Sequence, residues 1–122
     1  MGKIEFTVGI EPRPMPRPRF TRGRTYTPKD IRIYQAACRQ AAAVAMHGRE
    51  PLQGDLACTL KFYRKFKASS RRFGDGDNLY KAATDALQGV CFCDDSQIVI
   101  ATIEKHTDKI SPRIEFSIEV LN

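Results

Sequence analysis

Residues 56–89 read LACTLKFYRKFKASSRRFGDGDNLYKAATDALQG. Three regimes follow one another in this stretch. Leu56, Cys58, Leu60 and Phe62 alternate with residues such as Lys61 and Tyr63, the period of a strand with one face in a core. Residues 64–76 lose that period and become a long basic loop. From about Asn78 to Gln88 the apolar positions Leu79, Ala82, Ala83, Ala86 and Leu87 recur at helical spacing, and Gly89 suits the helix stop. A half-buried strand, a cationic loop and an amphipathic helix in direct succession imply a sheet with helices laid on it.

The flanks extend the pattern. Upstream, Ile4, Phe6, Val8 and Ile10 alternate with Lys3, Glu5, Thr7 and Gly9, a second half-buried strand. Residues 11–26, EPRPMPRPRFTRGRTY, carry prolines at 12, 14, 16 and 18, which exclude a helix interior or a central strand there. They read as an extended basic arm or loop, anchored by Met15, Phe20 and Tyr26. Thr27 suits a helix N-cap and Pro28 the first helical position, with Asp30 in the first turn. Ile31, Tyr34, Cys38, Ala41 and Ala45 make the inward stripe of that helix, and Gly48 its stop. Pro51 and Gly54 break the chain before residue 56. Downstream, residues 97–105 form a strand, Asp108 to Pro112 a turn, and Ile114, Phe116, Ile118 and Val120 a last strand. The expected fold is α+β, one domain over residues 1–122, in the order β-α-β-α-β-β with a mixed sheet.

Length and composition agree. A chain of 122 residues is one domain's worth, and 42% apolar with 28% charged residues is the balance of a soluble globular protein. No apolar run approaches the ~20 residues a membrane helix needs, and the N-terminus lacks a signal-peptide core, so a cytoplasmic protein without membrane contact is expected. The four cysteines show no C-x-x-C pair. Cys38 and Cys58 fall on apolar stripes and read as small buried hydrophobes, while Cys91-x-Cys93 is a weak metal signal.

The net charge of +6 is unevenly placed. Residues 13–39 hold eight Lys or Arg against one acid, Asp30, and residues 61–72 hold six with no acid. Clustered cations of this kind are the footprint of a polyanion partner, nucleic acid above all. Arg17, Arg19, Arg22 and Arg24 in the first cluster, and Lys65, Lys67, Arg71 and Arg72 in the second, are the candidate DNA contacts. Phe66 or Phe73 in the second loop either wedges into a nucleic-acid partner or packs in the core.

Against this basic background, five acids fall between residues 75 and 95, and all are aspartates: Asp75, Asp77, Asp85, Asp94 and Asp95. Short, stiff carboxylates hold a hard cation, and Mg2+ needs only two or three of them beside a substrate phosphate and water. Asp77 alone is explained as a first-turn or capping acid; capping leaves Asp75 unexplained. Asp77, Lys81 and Asp85 share a helix face, either as an ion-pair ladder or as a lysine set beside metal-binding carboxylates. Asp94-Asp95 sits at the entry to a strand, either as a polar turn or as a cation site. An anionic metal site rimmed by Arg and Lys is what phosphodiester hydrolysis requires.

The run Asp75-Gly-Asp77-Asn78-Leu79-Tyr-Lys81-Ala-Ala-Thr-Asp85-Ala86-Leu87, followed by Phe92-Cys-Asp94-Asp95-Ser96-Gln97-Ile98, resembles the RusA family of Holliday-junction resolvases. The family pattern is D-x-D-N-x-x-K-x-x-x-D-A-L, a short apolar stretch, then D-D-x-Q-[IV]. Several fixed spacings agree at once, the likeness covers nearly the whole chain, and the Pro-rich start with RPRF is similar to phage-borne members. Phe92 stands where many members have Trp.

The resemblance implies a crossover junction endodeoxyribonuclease. Asp75, Asp77 and Asp95 would be its Mg2+-binding carboxylates, with Mn2+ a substitute, and Lys81 its essential lysine. Asn78, Asp85 and Asp94 match pattern positions with supporting or structural roles. The implied substrate is a four-way DNA junction, cut by a homodimer with two symmetric nicks in recombination and repair. A general structure-specific nuclease is the nearest alternative. A non-catalytic nucleic-acid-binding module would leave the three aspartates without a task. A D-x-D glycosyltransferase would need a longer chain with a Gly-rich phosphate loop.

Overall fold

The computed structural model describes residues 2–16, 19–21, 24–26 and 28–121, with backbone alone at 19–21 and 24–26. Its elements are β1 (Lys3–Val8), β2 (Arg19–Thr21), β3 (Arg24–Tyr26), α1 (Lys29–Met46), β4 (Leu56–Arg64), α2 (Gly76–Leu87), β5 (Ile98–Thr107) and β6 (Arg113–Val120). Four strands make one mixed sheet in the order β1-β6-β4-β5. β6 is antiparallel to both β1 and β4, and β4 runs parallel to β5. The α+β order read from the sequence is therefore the observed one. It gains a separate antiparallel hairpin, β2–β3, pairing Arg19 with Tyr26 and Thr21 with Arg24 inside the Pro- and Arg-rich segment. The prolines at 12–18 end just before this hairpin, so they never interrupt a ladder.

The alternation in β4 is strict, with Leu56, Cys58, Leu60, Phe62 and Arg64 inward and the residues between them half-buried. Ile4 and Val8 of β1 and Ile114, Phe116 and Ile118 of β6 point to the same side, where α1 and α2 cover them. The opposite face carries Glu5, Thr7, Thr59, Lys61, Glu115 and Ser117 and stays open. Each fully buried Leu or Phe stabilises the fold by roughly 1.5–3 kcal/mol.

Helix α1 starts one residue later than its sequence signals suggest. Pro28 occupies the N-cap and Lys29 is the first helical residue, while Thr27 lies outside the described residues. Its buried stripe is Ile31, Tyr34, Cys38, Ala42 and Met46, so Ala42 and Met46 replace the expected Ala41 and Ala45. An alanine-rich surface offers the sheet small residues on every side, and the large Met46 decides the rotation. His47 closes the helix in the left-handed conformation, one residue before Gly48.

Helix α1 is fastened to α2 by two side chains that donate to backbone carbonyls: Gln35 Nε2 to Ala82 at 2.9 Å and Arg39 Nε to Ala86 at 3.0 Å. Ala82, Ala83 and Ala86 are fully buried, which lets the two helices approach closely enough for those bonds. After α2 the chain folds back through Cys91 and Phe92, both fully buried, and Leu52 N–H donates to the Cys91 carbonyl at 2.7 Å. This return delivers Asp94 and Asp95 to the start of β5. Cys38, Cys58 and Cys91 are buried free thiols and Cys93 is exposed.

Candidate active site

The loop between β4 and α2 is fixed before it reaches the aspartates. Arg64 is buried at the end of β4. Its guanidinium donates to the Phe73 carbonyl at 2.6 Å and to Glu11 at 2.8 Å, and it lies 4.9 Å from the Phe66 ring. Asp108 N–H donates to the Arg64 carbonyl at 2.8 Å. Further along, Thr107 Oγ1 accepts from Ala68 N–H at 3.1 Å and donates to the Phe66 carbonyl at 2.9 Å. Arg64 thus works inside the fold and leaves the cationic surface to its neighbours. Phe73 is fully buried and Phe66 packs against the core, so Phe73 is a core anchor rather than a wedge.

Phe73 leads into Gly74, whose φ of +103° only glycine adopts without strain. A Cβ there would also stand 3.2 Å from Pro14 Cγ. The tight passage ends at Asp75, which is the N-cap of α2. Its carbonyl accepts the first helical bond from Leu79 N–H at 2.9 Å, and its Oδ1 accepts from Asp77 N–H at a long 3.4 Å. Capping therefore does explain the position of Asp75, contrary to the sequence reading, and Asp77 is the first-turn acid. The weak cap leaves most of the Asp75 carboxylate's capacity for another partner. Both aspartates are exposed.

The remaining acids divide. Lys81 Nζ stands 3.5 Å from Asp85 Oδ2, so one rung of the Asp77–Lys81–Asp85 ladder is formed, and Lys81 is largely exposed at 62%. Asp94 and Asp95 belong to a 3-10 turn, Asp95–Gln97, with Asp94 as its N-cap. Asp94 Oδ2 accepts from Ser96 Oγ at 2.6 Å. Gln97 holds the turn from both sides: its Oε1 accepts from the Cys93 and Asp94 amides, and its Nε2 donates to the Leu52 and Gly54 carbonyls. Asp94 is a structural residue, and Asp95 next to it is exposed with its carboxylate outside these bonds. Tyr80 of α2 is half-buried. Burial pushes its hydroxyl up to about 12, and the charges of Cys58 and Asp95 push the same way.

Asp75 caps α2 and Asp77 lies in its first turn, while Asp95 stands in the separate turn before β5. Among the described residues, no group of three or more His, Cys, Asp or Glu side chains is placed to hold a metal ion. Hard, exposed carboxylate oxygens on a rigid turn nevertheless fit a hydrated Mg2+, which keeps several waters and takes few protein oxygens.

The basic segments approach the aspartates. Met15 N–H donates to the Asn78 carbonyl at 2.9 Å, tying the N-terminal arm to the start of α2 through the Asn78 backbone. Arg71 shares a cavity with Asp75. Lys65, Lys67 and Arg72 are exposed on the same loop. The side chains of Arg17, Arg19, Arg22 and Arg24 lie outside the described residues.

Lys105 of β5 has no place in the sequence reading, yet its Nζ donates to the Gly74 carbonyl at 3.1 Å, beside Asp75. The signal was its register: Lys105 pairs with Phe62, a fully buried residue of β4, and so stands on the covered face of the sheet. A family model described as Endodeoxyribonuclease RusA matches residues 9–119. No curated protein matches the chain.

Proposed function

Because the chain belongs to the RusA endodeoxyribonuclease family, we propose that it is a Mg2+-dependent nuclease that resolves four-way DNA junctions by paired symmetric nicks, with residues 1–122 as one endonuclease domain. The observation that carries this reading is the exposed pair Asp75 and Asp77 on the first turn of α2, flanked by Arg71 and Lys105. Carboxylates alone would repel a DNA strand; carboxylates bordered by cations accept one together with a metal.

Asp75, Asp77 and Asp95 are the residues that would hold the ion. When bound, Mg2+ supplies an activated water and stabilises the departing oxygen. The chain's own groups do the rest. The N-cap position of Asp75 and the Gln97-held turn of Asp95 fix the backbone that carries these carboxylates, which limits the reorganisation needed when substrate arrives. Lys81, exposed on the same helix face, carries an ammonium that can neutralise charge on the cleaved phosphate. Asp85 orients that ammonium from 3.5 Å. Mn2+ offers the same oxygen-ligand chemistry.

A homodimer suits the substrate, because two strands of like polarity need two sites related by a two-fold axis. The free edge of β5, where Val99 is 55% and Ile100 53% exposed, supports such an association. Among the described residues no helix is long and apolar enough to cross a membrane. Cleavage of a labelled four-way junction beside linear duplex and flap substrates, with Mg2+ and with excess EDTA, tests the reading. Paired nicks on the junction that EDTA abolishes are expected. Equal cutting of every substrate would reduce the protein to a general nuclease, and turnover in EDTA would overturn the metal assignment.

A further inference from the structure

The cavity of about 280 Å³ beside Asp75 is lined by Ser69, Ser70, Arg71, Gly74, Asp75 and Lys105. Two of these are cations, and among the described residues neither has an acidic partner. Lys105 uses one of its three N–H donors on the Gly74 carbonyl and lies 5.1 Å from the Phe73 ring, which together hold the ammonium in place. Ser70 Oγ donates its one proton to the Lys67 carbonyl at 2.8 Å, so the hydroxyl left to donate to a ligand is that of Ser69, which is exposed. The loop that carries these residues is bound to β5 at Phe66 and Ala68, to β4 through Arg64, and to itself at Ser70. Lys105 and the loop backbone are thus set before any ligand arrives, which lowers the entropic cost of binding, while the exposed Arg71 side chain orders on the ligand.

We propose that this cavity is a subsite for a DNA backbone phosphate, the neighbour of the phosphate that is cleaved. The inference rests on the nuclease reading for its choice of DNA. An ammonium, an arginine fork and a serine hydroxyl around one space are the donors that phosphodiester oxygens take. Asp75 lines the cavity and belongs to the acidic centre, so a phosphate seated between Lys105 and Arg71 would neighbour the one acted on there. Lys105 is then a binding residue that sets the strand's register, aimed by the Gly74 carbonyl, whose place depends on a backbone angle that glycine adopts without strain.

The test is a set of four-way junctions in which single phosphates around the cut are replaced, one at a time, by uncharged methylphosphonates. Affinity for the full-length chain is measured by fluorescence anisotropy in EDTA, which keeps the strands whole. Wild type should lose about 10-fold in affinity at one position, the scale of a hydrogen bond to a charged group. At that position Lys105→Met and Arg71→Gln should lose no more than about twofold, while matching wild type's penalties elsewhere. If both variants keep the full wild-type penalty at every position, the subsite is overturned. Lys105→Met removes a bond to the fold and is checked by melting temperature; if it does not fold, Arg71→Gln, whose side chain bonds nothing else among the described residues, decides alone. A chain that cuts no junction but keeps the position-specific rescue loses the proposed activity and retains the subsite. A chain that cuts while the variants keep the full penalty loses the subsite alone.

Discussion

Glu11 and Arg64, 53 residues apart in sequence, meet at 2.8 Å with side chains 23% and 8% exposed. The contact joins the segment after β1 to the end of β4, and through Arg64 to the Phe73 carbonyl two residues before Asp75. Removing one partner of a buried ion pair leaves an uncompensated charge. Glu11→Ala should destabilise the fold by about 3 kcal/mol, lowering the melting temperature by roughly 10 °C in a chain of this size. Glu11→Gln, which keeps an acceptor oxygen, should cost less than half as much. Trypsin should also cut the Glu11→Ala protein faster at Lys67, Arg71 and Arg72. An unchanged digestion pattern would mean the loop is held without Arg64.

Asp77→Asn removes one charge from the first turn of α2 and leaves its shape. Cleavage should fall by at least about 10²-fold, the order usual when electrostatic stabilisation of a transition state is lost. The melting temperature should move little, since a first-turn acid contributes only about 0.3–1 kcal/mol through the helix dipole. Junction affinity should hold or rise, because DNA loses a repulsive neighbour. A fully active Asp77→Asn protein would remove Asp77 from the site.

Lys81 allows its two roles to be separated. As a partner of Asp85 at i, i+4 it is worth about 0.2–0.5 kcal/mol, so Lys81→Ala should melt close to wild type. As a phosphate contact it is needed for turnover, so the same variant should lose cleavage. Lys81→Arg should restore stability without activity, because the broad guanidinium cannot replace a compact ammonium. Cleavage assays and melting curves on both variants decide; an active Lys81→Ala protein would leave only the ion pair.

The buried thiols give a pH dependence with a definite sign. Burial pushes Cys38 and Cys58 up to about 12 and Cys91 up to about 11, with Tyr80 also at about 12. The unfolded chain therefore releases these protons first as the pH rises, and it alone gains from doing so. The contribution of these groups is fully present below about pH 8 and is lost progressively toward pH 12, at roughly 1.5–2 kcal/mol per thiol by pH 10. Melting temperatures at pH 7, 9 and 10 check this. In a thiol-labelling assay on the folded protein at pH 8, Cys93 should react rapidly and the other three slowly.

Sequence revealed most where side chains have strong contrast. Leu56 to Phe62 alternates with polar or smaller residues, and burial follows that alternation without exception. In α1 the contrast vanishes among alanines, so Ala41 and Ala45 could not be told from Ala42, and the orientation came from packing. The β2–β3 hairpin stayed hidden because its strands are three residues each and sit behind four prolines. Asp75 and Asp77 stood out in the sequence as candidates by their spacing, whereas the cap at Asp75 depends on where the helix begins. Lys105 stayed out of sight because a charged residue in an exposed-looking strand reads as solvent-facing. Its covered position follows from the parallel register with Phe62, which no local pattern contains.

One feature of the sheet bears on how the molecule is made. β6, residues 113–120, lies between β1 and β4, and its Val120 amide donates to the Gly2 carbonyl at 2.6 Å. The first strand synthesised therefore waits for the latest of these strands before it has any neighbour to pair with. Pairings this distant in sequence close slowly, because the loop entropy is lost before the contacts form. During translation β4 lacks one flank until β6 leaves the ribosome, and the helices have only half a surface to lie on. The chain gains the loop that carries Asp75 and the turn that carries Asp95 early, but the sheet that holds them in register is complete only when β6 joins it.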